Sequence, residues 1–345
     1  MRRALLAGLL LAAALVAGCG DTSSVREGDL TVSGQSRTIT GGAPAAATAD
    51  DSGSSAVRIE VVTHGQASSV FWKVIKGGID AAARQVDAQV DYKSPDVFSI
   101  DRMRELIDQA IERRPDALIV SLPSPELKDV LLRAKKAGIP LVTINSGADL
   151  SRRVGALAHV GSDEAAAGYE AGRRLAAAGV RHGVCLNLEK GNAALDLRCS
   201  EFARALREKG ATSRTLEVNF DDAVASEKLL TGVFRSDRVD GALALSSSGA
   251  EAALAALRNV RRVGKVKLGS FDMSPKVLEA VRAGELEFTI DQQPYLQGYL
   301  PVVLLAQYAR YGIFPSEGKL IPTGPHFVTK DTAAQAEELS ARGIR

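Results

Sequence analysis

The amino-acid sequence predicts an α/β protein with two doubly wound lobes, each built around a parallel sheet. Short β-rich runs alternate with amphipathic helical stripes from Val57 onward, and the same alternation restarts at Gly183. Several runs, including Ala117–Ser121, are almost entirely apolar, which is typical of strands buried on both faces. A chain of 345 residues is also long enough for about two domains.

The first series opens with a β-rich run at residues 57–63, and residues 70–86 follow with apolar side chains at helical spacing. Ser124 before Pro125 and Glu126 is typical of a helix start, because serine caps free N–H groups and proline fits the first turn. The other elements predicted in this series are strands at 88–92, 117–121, 139–144 and 156–160 and a helix over 100–111. The second series predicts strands at 183–188, 214–218, 241–246, 266–271 and 287–290, and helices over 192–209, 222–234, 249–258, from 274 and over 294–311.

The first 18 residues have the pattern of an export signal. A short basic start containing Arg2 and Arg3 precedes an uncharged apolar run over 4–18, which is too short for a typical membrane-spanning helix. The run ends in small residues directly before Cys19, as in the signals of bacterial lipoproteins, in which the cysteine thiol is acylated and the chain is cut just before it. The alternative is a buried N-terminal helix that happens to end in a cysteine.

Residues 19–56 are predicted to be an acylated cysteine followed by a flexible tether. Of the 37 residues from 20 to 56, 25 are Gly, Ser, Thr, Ala or Pro, and only four are aliphatic residues larger than alanine. So few apolar side chains cannot offset the entropy of ordering the segment. A coil of this length has a mean reach of about 30–37 Å. The prediction is an extracytoplasmic domain, in the periplasm or at the cell surface, held near the membrane by lipid.

Composition and charge exclude several classes of protein. The chain is 46% hydrophobic and 24% charged, which argues against a wholly disordered or fibrous protein. Lys and Arg total 43 against 41 Asp and Glu, and removal of Arg2 and Arg3 with the signal makes the two totals equal. A nucleic-acid-binding protein needs an excess of cations on one face, so none is indicated here.

Two cysteines, Cys185 and Cys199, remain in the body of the chain. Export to an oxidising compartment permits a disulfide between them. The bridge would close a loop of about 15 residues and contribute about 3 kcal/mol in the chain-entropy model. The alternative is a pair of free, buried thiols.

Signatures of catalysis are missing from the sequence. No phosphate-binding loop, dinucleotide-binding glycine loop, zinc-protease helix, nucleophile elbow or dithiol motif is found. The four histidines lack the spacing of metal ligands, and only His64, at a strand end, is a candidate for a functional role. The sequence therefore predicts neither an enzyme nor a bound cofactor or metal.

Polar residues cluster where the predicted strands end. In doubly wound sheets, ligands bind outside the carboxyl ends of the strands. The segments at these ends are rich in hydroxyls, amides, carboxylates and aromatic rings and poor in lysine: 64–72, 94–96, 121–124, 145–146, 189–192, 220–222, 246–248, 271–272 and 291–293. Such a lining suits a neutral polyhydroxyl ligand, whose OH groups bond amides and carboxylates while aromatic faces cover its CH surface.

Six short motifs occur in a specific order along the body of the chain. They are Val70-Phe71-Trp72, residues 137–142, residues 159–164 with Gly168 and Gly172, Arg198 four residues before Phe202, residues 269–272 and residues 290–294. In this order and spacing, over about 57–330, the chain resembles the type I periplasmic solute-binding proteins. In particular, it resembles the ribose-binding-protein-like receptors of sugar ABC transporters.

The resemblance implies two lobes joined by three crossovers, with one sugar bound between the lobes. The crossovers are expected near 159–163, 291–293 and 322–325. The N-terminal lobe is then expected to comprise 57–160 and 293–322, and the C-terminal lobe 161–292 and 323–345.

The resemblance also implies roles for single residues. Phe71 and Trp72 match the aromatic pair that sandwiches the sugar, and Ser69 stands where such receptors often have Asn. Arg198 and Asp272 match hydrogen-bonding residues of the second lobe, and Gln292 matches the hinge glutamine. The alternatives are a buried helical stripe for the two aromatic residues, a surface salt bridge for Arg198, helix capping for Asp272 and backbone bonding for Gln292.

Two departures from the pattern put ribose itself in doubt. Asn145 and Ser146 replace the Asp-Arg pair of pentose receptors, and Ser246, Ser247 and Ser248 replace an Asn. The predicted ligand-binding set is Ser69, Phe71, Trp72, Asn145, Ser146, Arg198, Ser247, Ser248, Asp272 and Gln292.

The predicted function is that of a monomeric, lipid-anchored receptor that captures a neutral sugar or polyol and presents it to an ABC permease. A receptor for a sugar-like signal molecule, acting through a sensor partner, has the same cleft and remains an alternative. A sugar-responsive repressor would need a helix-turn-helix before the first strand, where this chain has a signal and a tether. A tethered hydrolase would need a nucleophile and a base that the sequence does not show.

Overall fold

A computed structural model describes residues 56–65, 69–220, 222–236, 238–315 and 318–345. The predicted signal, Cys19 and all of the tether except Ala56 lie outside these residues. The described part contains two six-stranded sheets with helices packed against them. The predicted fold class, two doubly wound α/β lobes, is confirmed.

The first sheet is entirely parallel. Its strands, in chain order, are β1 Val57–Val62, β2 Ala88–Lys93, β3 Ala117–Ser121, β4 Leu141–Ile144, β5 Ala158–Ser162 and β11 Lys319–Gly324, and their spatial order is β11-β5-β4-β3-β1-β2. The helices of this lobe are α1 Val70–Gln85, α2 Ile100–Glu112, α3 Lys128–Lys136, α4 Ala148–Ser151 and α10 Pro294–Tyr311. Helix α3 follows a 3₁₀ turn that Ser124 caps, as predicted, by accepting the N–H of Glu126.

The second sheet is parallel except at one edge, where β12 runs antiparallel to β10. Its strands are β6 His182–Asn187, β7 Thr212–Glu217, β8 Gly241–Ala244, β9 Lys267–Phe271, β10 Phe288–Asp291 and β12 His326–Val328, in the spatial order β12-β10-β9-β8-β6-β7. The helices of this lobe are α5 Glu164–Ala177, α6 Ala193–Arg207, α7 Ala223–Arg235, α8 Ser247–Asn259, α9 Pro275–Ala283 and α11 Ala333–Ala341.

The chain passes between the two sheets three times. It leaves the first sheet after β5, returns to that lobe between β10 and α10, and leaves again between β11 and β12. The passages lie side by side, since the N–H of Asp163 donates to the carbonyl of Gly324 at 3.1 Å. The side chain of Gln297, on α10, donates both to the carbonyl of Gln292 at 3.0 Å and to Thr323 Oγ1 at 3.2 Å.

Helix α5 is not among the elements that hydrophobic periodicity predicts. Its buried face consists mainly of Ala and Gly, so its stripe is faint in the sequence. The two glycines allow α6 to approach closely. A Cβ added at Gly168 would lie 2.4 Å from the carbonyl oxygen of Arg198, and one at Gly172 would lie 2.6 Å from that of Phe202. The edge strands β11 and β12 were also not predicted, because half of the residues of β11 are exposed and neither strand contains a buried apolar run.

The cysteine pair of the second lobe is bridged. Cys185, on β6, and Cys199, on α6, form a disulfide across a Cα–Cα distance of 5.6 Å. Both residues are buried in an apolar cluster with Phe202 and Phe271. The disulfide therefore ties the sheet to the helix that carries Arg198.

No helix among the described residues is both long enough and apolar enough to cross a bilayer.

Candidate ligand-binding site

The carboxyl ends of strands from both sheets face each other. Pro123, just after β3 in the first lobe, accepts a hydrogen bond at 2.9 Å from the backbone N–H of Ala193, the first residue of α6 in the second lobe. His64, just after β1, approaches Asn192 at the same place. The ends of β1, β3 and β6 therefore meet between the lobes, where parallel sheets place their ligands.

Arg198, Gln292 and Asp272 form one hydrogen-bonded network. Arg198 Nη2 donates to Gln292 Oε1 at 2.6 Å, and Gln292 Nε2 donates to Asp272 Oδ1 at 2.6 Å. The Arg198 guanidinium also lies 4.2 Å from the ring centroid of Phe271. The structure thus brings together three residues that were predicted separately, and the network adjoins the second passage between the lobes.

Arg198 is not part of a surface ion pair. Its side chain is only 3% exposed, and its Nε donates to the carboxylate of Glu164, which is also buried. Glu164 was not predicted as a partner. A buried charge is tolerated when it is paired and hydrogen-bonded, and here Glu164, Gln292 and the Phe271 ring supply the contacts.

The carboxyl group of Asp272 sits in an environment that opposes its charge. Burial raises the pKa of Asp272 to about 7, although the nearby Arg198 cation and the hydrogen bond from Gln292 act in the opposite direction. Burial likewise raises the pKa of Glu164, with Arg198 again opposing. Asp272 also has a left-handed backbone, with φ at 65°, which is uncommon for a residue other than glycine. Strained residues and shifted pKa values are more frequent at functional sites than elsewhere.

Asn145 and Ser146 lie at the end of β4 and are joined to the hinge. Asn145 Nδ2 donates to Gln297 Oε1 at 3.2 Å, and Asn145 Oδ1 accepts from Ser146 Oγ at 3.1 Å. Both residues are buried. Gln297 also reaches the second and third passages, so it connects the predicted Asn-Ser pair to both. Gln297 has no signal in the sequence, because it is one amide within the long helix α10.

The two predicted aromatic residues are not arranged as parallel faces. The rings of Phe71 and Trp72 are perpendicular, with centroids 5.4 Å apart. Phe71 is half-buried, whereas Trp72 is 7% exposed and packs in the first-lobe core with Ile75 and Ile79. Trp72 therefore lies in the buried stripe of α1, the alternative considered above. Its ring also contacts His64 edge-on at 4.8 Å, so its contact with ligand stays a prediction.

Three predicted serines lie at helix starts. Ser69 is the N-cap residue of α1 and makes no side-chain capping bond. Ser246 caps α8 by accepting the N–H of Gly249, Ser247 is the first residue of that helix, and Ser248 Oγ lies 3.0 Å from Ser246 Oγ. No described side-chain bond joins Ser69, Ser247 or Ser248 to the Arg198 network, and their contact with ligand stays a prediction.

His64 is a further residue of this site, and it is not in the predicted ligand-binding set. Its side chain is 3% exposed, and its Nδ1 lies 2.7 Å from Ser121 Oγ. Burial lowers the pKa of His64 to about 3, and the positive charge of Arg198 acts in the same direction. The position of His64 at the end of β1 was the only signal in the sequence.

Among the described residues, no group of three or more His, Cys, Asp or Glu side chains is arranged to hold a metal ion.

Comparison with known proteins assigns this architecture to a family. Residues 59–312 match the family model of the periplasmic binding protein domain. The chain belongs to this family. Its members are solute-binding proteins, and membership implies an extracytoplasmic location. The type I sugar-receptor resemblance seen in the sequence is therefore confirmed at the level of the family.

Two solved structures that are similar to this chain contain a bound cyclitol or sugar. A carbohydrate transporter of Acidothermus cellulolyticus 11B, in complex with myo-inositol, is 30% identical; the match covers 84% of this chain and 100% of that one, with a TM-score of 0.78. A solute-binding protein of Agrobacterium vitis, bound to α-D-tagatopyranose, is 22% identical over 84% of this chain and 99% of that one, with a TM-score of 0.73. The second likeness concerns the fold alone.

One curated relative matches over a short segment. It is a xylose/arabinose-binding protein of Sulfolobus acidocaldarius, 36% identical over 75 residues, which is 21% of this periplasmic binding protein and 18% of the relative. The match spans less than a fifth of that relative's length.

Proposed function

We propose that this periplasmic binding protein is the substrate-binding lipoprotein of an ABC importer and captures a neutral sugar or polyol between its lobes. The observation that carries the proposal is the network of Arg198, Gln292 and Asp272 at the passage between the sheets. It offers both cationic donors and carboxylate acceptors in one place. Hydroxyl groups both donate and accept hydrogen bonds, so a polyol can use both kinds of partner.

Hinge closure is the mechanism that the arrangement supports. Glu164 follows the first passage and pairs with Arg198, and Gln297 of the first lobe bonds Gln292 in the second passage and Thr323 in the third. A ligand bound at the network would therefore touch both lobes. Contacts made only in the closed conformation shift the population toward it, and a permease then distinguishes the closed from the open receptor. The receptor itself performs no chemical reaction on the ligand.

The charge balance of the chain and the ligand of one relative both favour a neutral polyol. The sequence without its signal carries equal numbers of cationic and acidic residues, and the network pairs Arg198 with two acidic side chains. The Acidothermus relative, which this chain covers completely, is bound to myo-inositol, an uncharged polyol. Inositols, pentoses and hexoses are therefore the first compounds to test.

We expect a thermal-shift screen of the purified protein to identify a neutral polyol that raises the melting temperature. A ligand that binds only the native state stabilises it by about 2.7 kcal/mol at one hundred times its Kd. Asp272→Asn should reduce this shift strongly, whereas Asp149→Asn, an exposed aspartate in the first lobe, should leave it unchanged. A shift with sugar phosphates and with no neutral sugar would show that the ligand class is wrong.

We also propose that Cys19 anchors the protein to the membrane. The intact mass of protein extracted from membranes should exceed the mass of the chain from Cys19 by that of the attached lipid, and Cys19→Ala should release the protein or mislocalise it. A soluble wild-type protein with an unmodified N-terminus would contradict the anchor.

Signalling through a sensor partner remains the second candidate function, because the same cleft would serve both roles. Uptake of the identified ligand by cells with and without this protein separates the two. Loss of uptake on deletion supports transport, whereas unchanged uptake with a lost transcriptional response supports signalling.

A further inference from the structure

His64 bridges the two lobes through a fixed set of polar contacts. On the first lobe, Ser121 Oγ accepts the backbone N–H of His64 at 2.9 Å and lies 2.7 Å from its Nδ1. On the second lobe, Nδ2 of Asn192 lies 3.4 Å from His64 Nε2. The rings of Trp72 and Phe98 enclose the imidazole edge-on, at centroid distances of 4.8 Å and 5.9 Å.

The Asn192 side chain determines which form of the imidazole fits. Its Oδ1 accepts the backbone N–H of Ala194 at 3.1 Å as the N-cap of α6, so the amide orientation is fixed. Its Nδ2 donates one hydrogen to Glu189 Oε2 at 2.6 Å and directs the other toward His64. Since Asn192 presents a donor, Nε2 of His64 must accept, and only a neutral imidazole has an accepting nitrogen.

Among the described residues, the charged groups that act on His64 are Glu189 and Arg198, both on the second lobe. Glu189 Oε2 lies 3.6 Å from His64 Nε2 and would attract an imidazolium, whereas Arg198 repels one. Ser121, Trp72, Phe98 and Asn192 carry no charge. Burial is the main cause that lowers the pKa of His64, to about 3, and the Arg198 cation acts in the same direction.

We propose that the lobes close only onto a neutral His64, so that proton uptake by this imidazole competes with closure and with ligand capture. The inference rests on the proposed function, because closure is its mechanism. When the lobes separate, Asn192, Glu189 and Arg198 move away from His64, and the imidazole regains water and a pKa near its ordinary value of 6.5. Closure below that pH must therefore release a proton.

The sign of the effect follows from the two pKa values. Above about pH 7.5, His64 is neutral in both conformations, and its titration does not affect affinity. Below the open-state value near 6.5, each further pH unit weakens closure about tenfold, until the closed-state value near 3 is reached. Acidification thus favours the open receptor and release of the ligand.

Asp272 has the opposite effect on closure. Because burial raises its pKa in this conformation, closure takes up a proton at Asp272 instead of releasing one. His159 is a second buried histidine with a pKa lowered to about 4 by burial, but its bond to Thr143 lies within the first lobe. The pH dependence of the wild-type Kd alone would therefore combine the contributions of several titrating groups. The ratio of the Kd of the wild type to that of His64→Gln isolates His64, because the other groups titrate in both proteins.

The Kd for the polyol found by thermal shift is measured by calorimetry between about pH 5.5 and pH 7.5 for the wild type, His64→Gln and His326→Gln. Glutamine can still accept from Asn192, and His326 is an exposed histidine that serves as the matched control. The ratio of the wild-type Kd to the His64→Gln Kd should rise about tenfold from pH 7.5 to pH 5.5. The ratio of the wild-type Kd to the His326→Gln Kd should not change over this pH range. If His64→Gln does not fold, His64→Asn replaces it with the same expectation.

A second readout needs no ligand. Trp72 is the single tryptophan of the chain, and its ring lies 4.8 Å from that of His64, where a protonated imidazole quenches indole fluorescence. The ligand-free wild type should show quenching with a midpoint near pH 6.5 that is absent from His64→Gln, and bound polyol should move this midpoint to lower pH.

A Kd ratio that does not change with pH, or a quenching midpoint that polyol does not move, would overturn the inference and leave the proposed function intact. If no polyol binds at all, the proposed function is wrong. In that case the fluorescence of the ligand-free protein still tests the role of His64. A quenching midpoint near pH 3 would mean that the imidazole stays enclosed without ligand and therefore does not control closure.

Discussion

Arg198→Met is expected to abolish detectable sugar binding and to lower the free energy of unfolding by about 3–5 kcal/mol. The substitution places an apolar side chain of similar length on α6 but removes the donor to Oε2 of the buried Glu164 carboxylate, whose Oε1 already has no hydrogen-bond partner among the described residues. It also removes the donor that holds Gln292 toward Asp272. Urea unfolding and calorimetry measure the two effects.

The loss of folding stability caused by Arg198→Met should be smaller at lower pH. Without Arg198, burial and the nearby Asp163 charge act unopposed on Glu164, so its pKa in the folded protein rises further above its unfolded value. The folded state then pays the penalty of a buried charge at neutral pH, and this penalty diminishes as Glu164 becomes protonated at lower pH. The stability difference between Arg198→Met and the wild type should therefore be largest at neutral pH and should shrink on acidification.

Two further variants test the reason for the Arg198 effect. The double variant Arg198→Met with Glu164→Gln removes both charges and should be more stable than Arg198→Met alone, because no unpaired charge stays buried. Arg204 lies on the same helix, and its side chain, which pairs with Glu201 and Glu208, is 46% exposed, so Arg204→Met should change stability little. Equal instability of the single and double variants would show that packing, and not charge pairing, explains the loss.

Trp72→Ala is expected to lower the free energy of unfolding by about 3–5 kcal/mol, because it empties a large volume in the first-lobe core. The ring is 7% exposed and packs so closely on the turn after β1 that a Cβ at Gly65 would lie 2.0 Å from Trp72 Cδ2. Denaturant unfolding of the variant measures this effect. Phe71→Ala, at the half-buried neighbouring ring, is the matched comparison and should destabilise less.

Ligand titration of the same two variants decides which ring contacts the sugar. A stacking ring contributes about 1–2 kcal/mol to binding, which corresponds to roughly a tenfold loss of affinity on truncation. Trp72→Ala with full loss of stability but unchanged affinity in the folded fraction would remove Trp72 from the ligand-binding set. Reduced affinity in Phe71→Ala with nearly native stability would assign the stacking role to Phe71.

The sequence by itself determined the class of fold and the edge at which ligand is expected. Alternating strands and helices are local patterns, and an apolar run such as Ala117–Ser121 reports burial on both faces directly. The rule that ligands bind at the carboxyl ends of parallel strands then selects segments that include His64, Asn145, Asp272 and Gln292. The structure places all four between or beside the passages that connect the lobes.

Only the tertiary structure decided which side chains meet. Asn145 and Gln297 are 152 residues apart, and Arg198 and Gln292 are 94 apart, so neither pairing has a local signature. Hydrophobic periodicity also failed to predict helix α5, whose role depends on its packing against α6. Its Gly168 and Gly172 make it inconspicuous in hydrophobic periodicity, yet they allow the close approach of α6 that brings Arg198 to Glu164. Periodicity reports how one segment faces the core, whereas partners depend on the packing of segments that are distant in the chain.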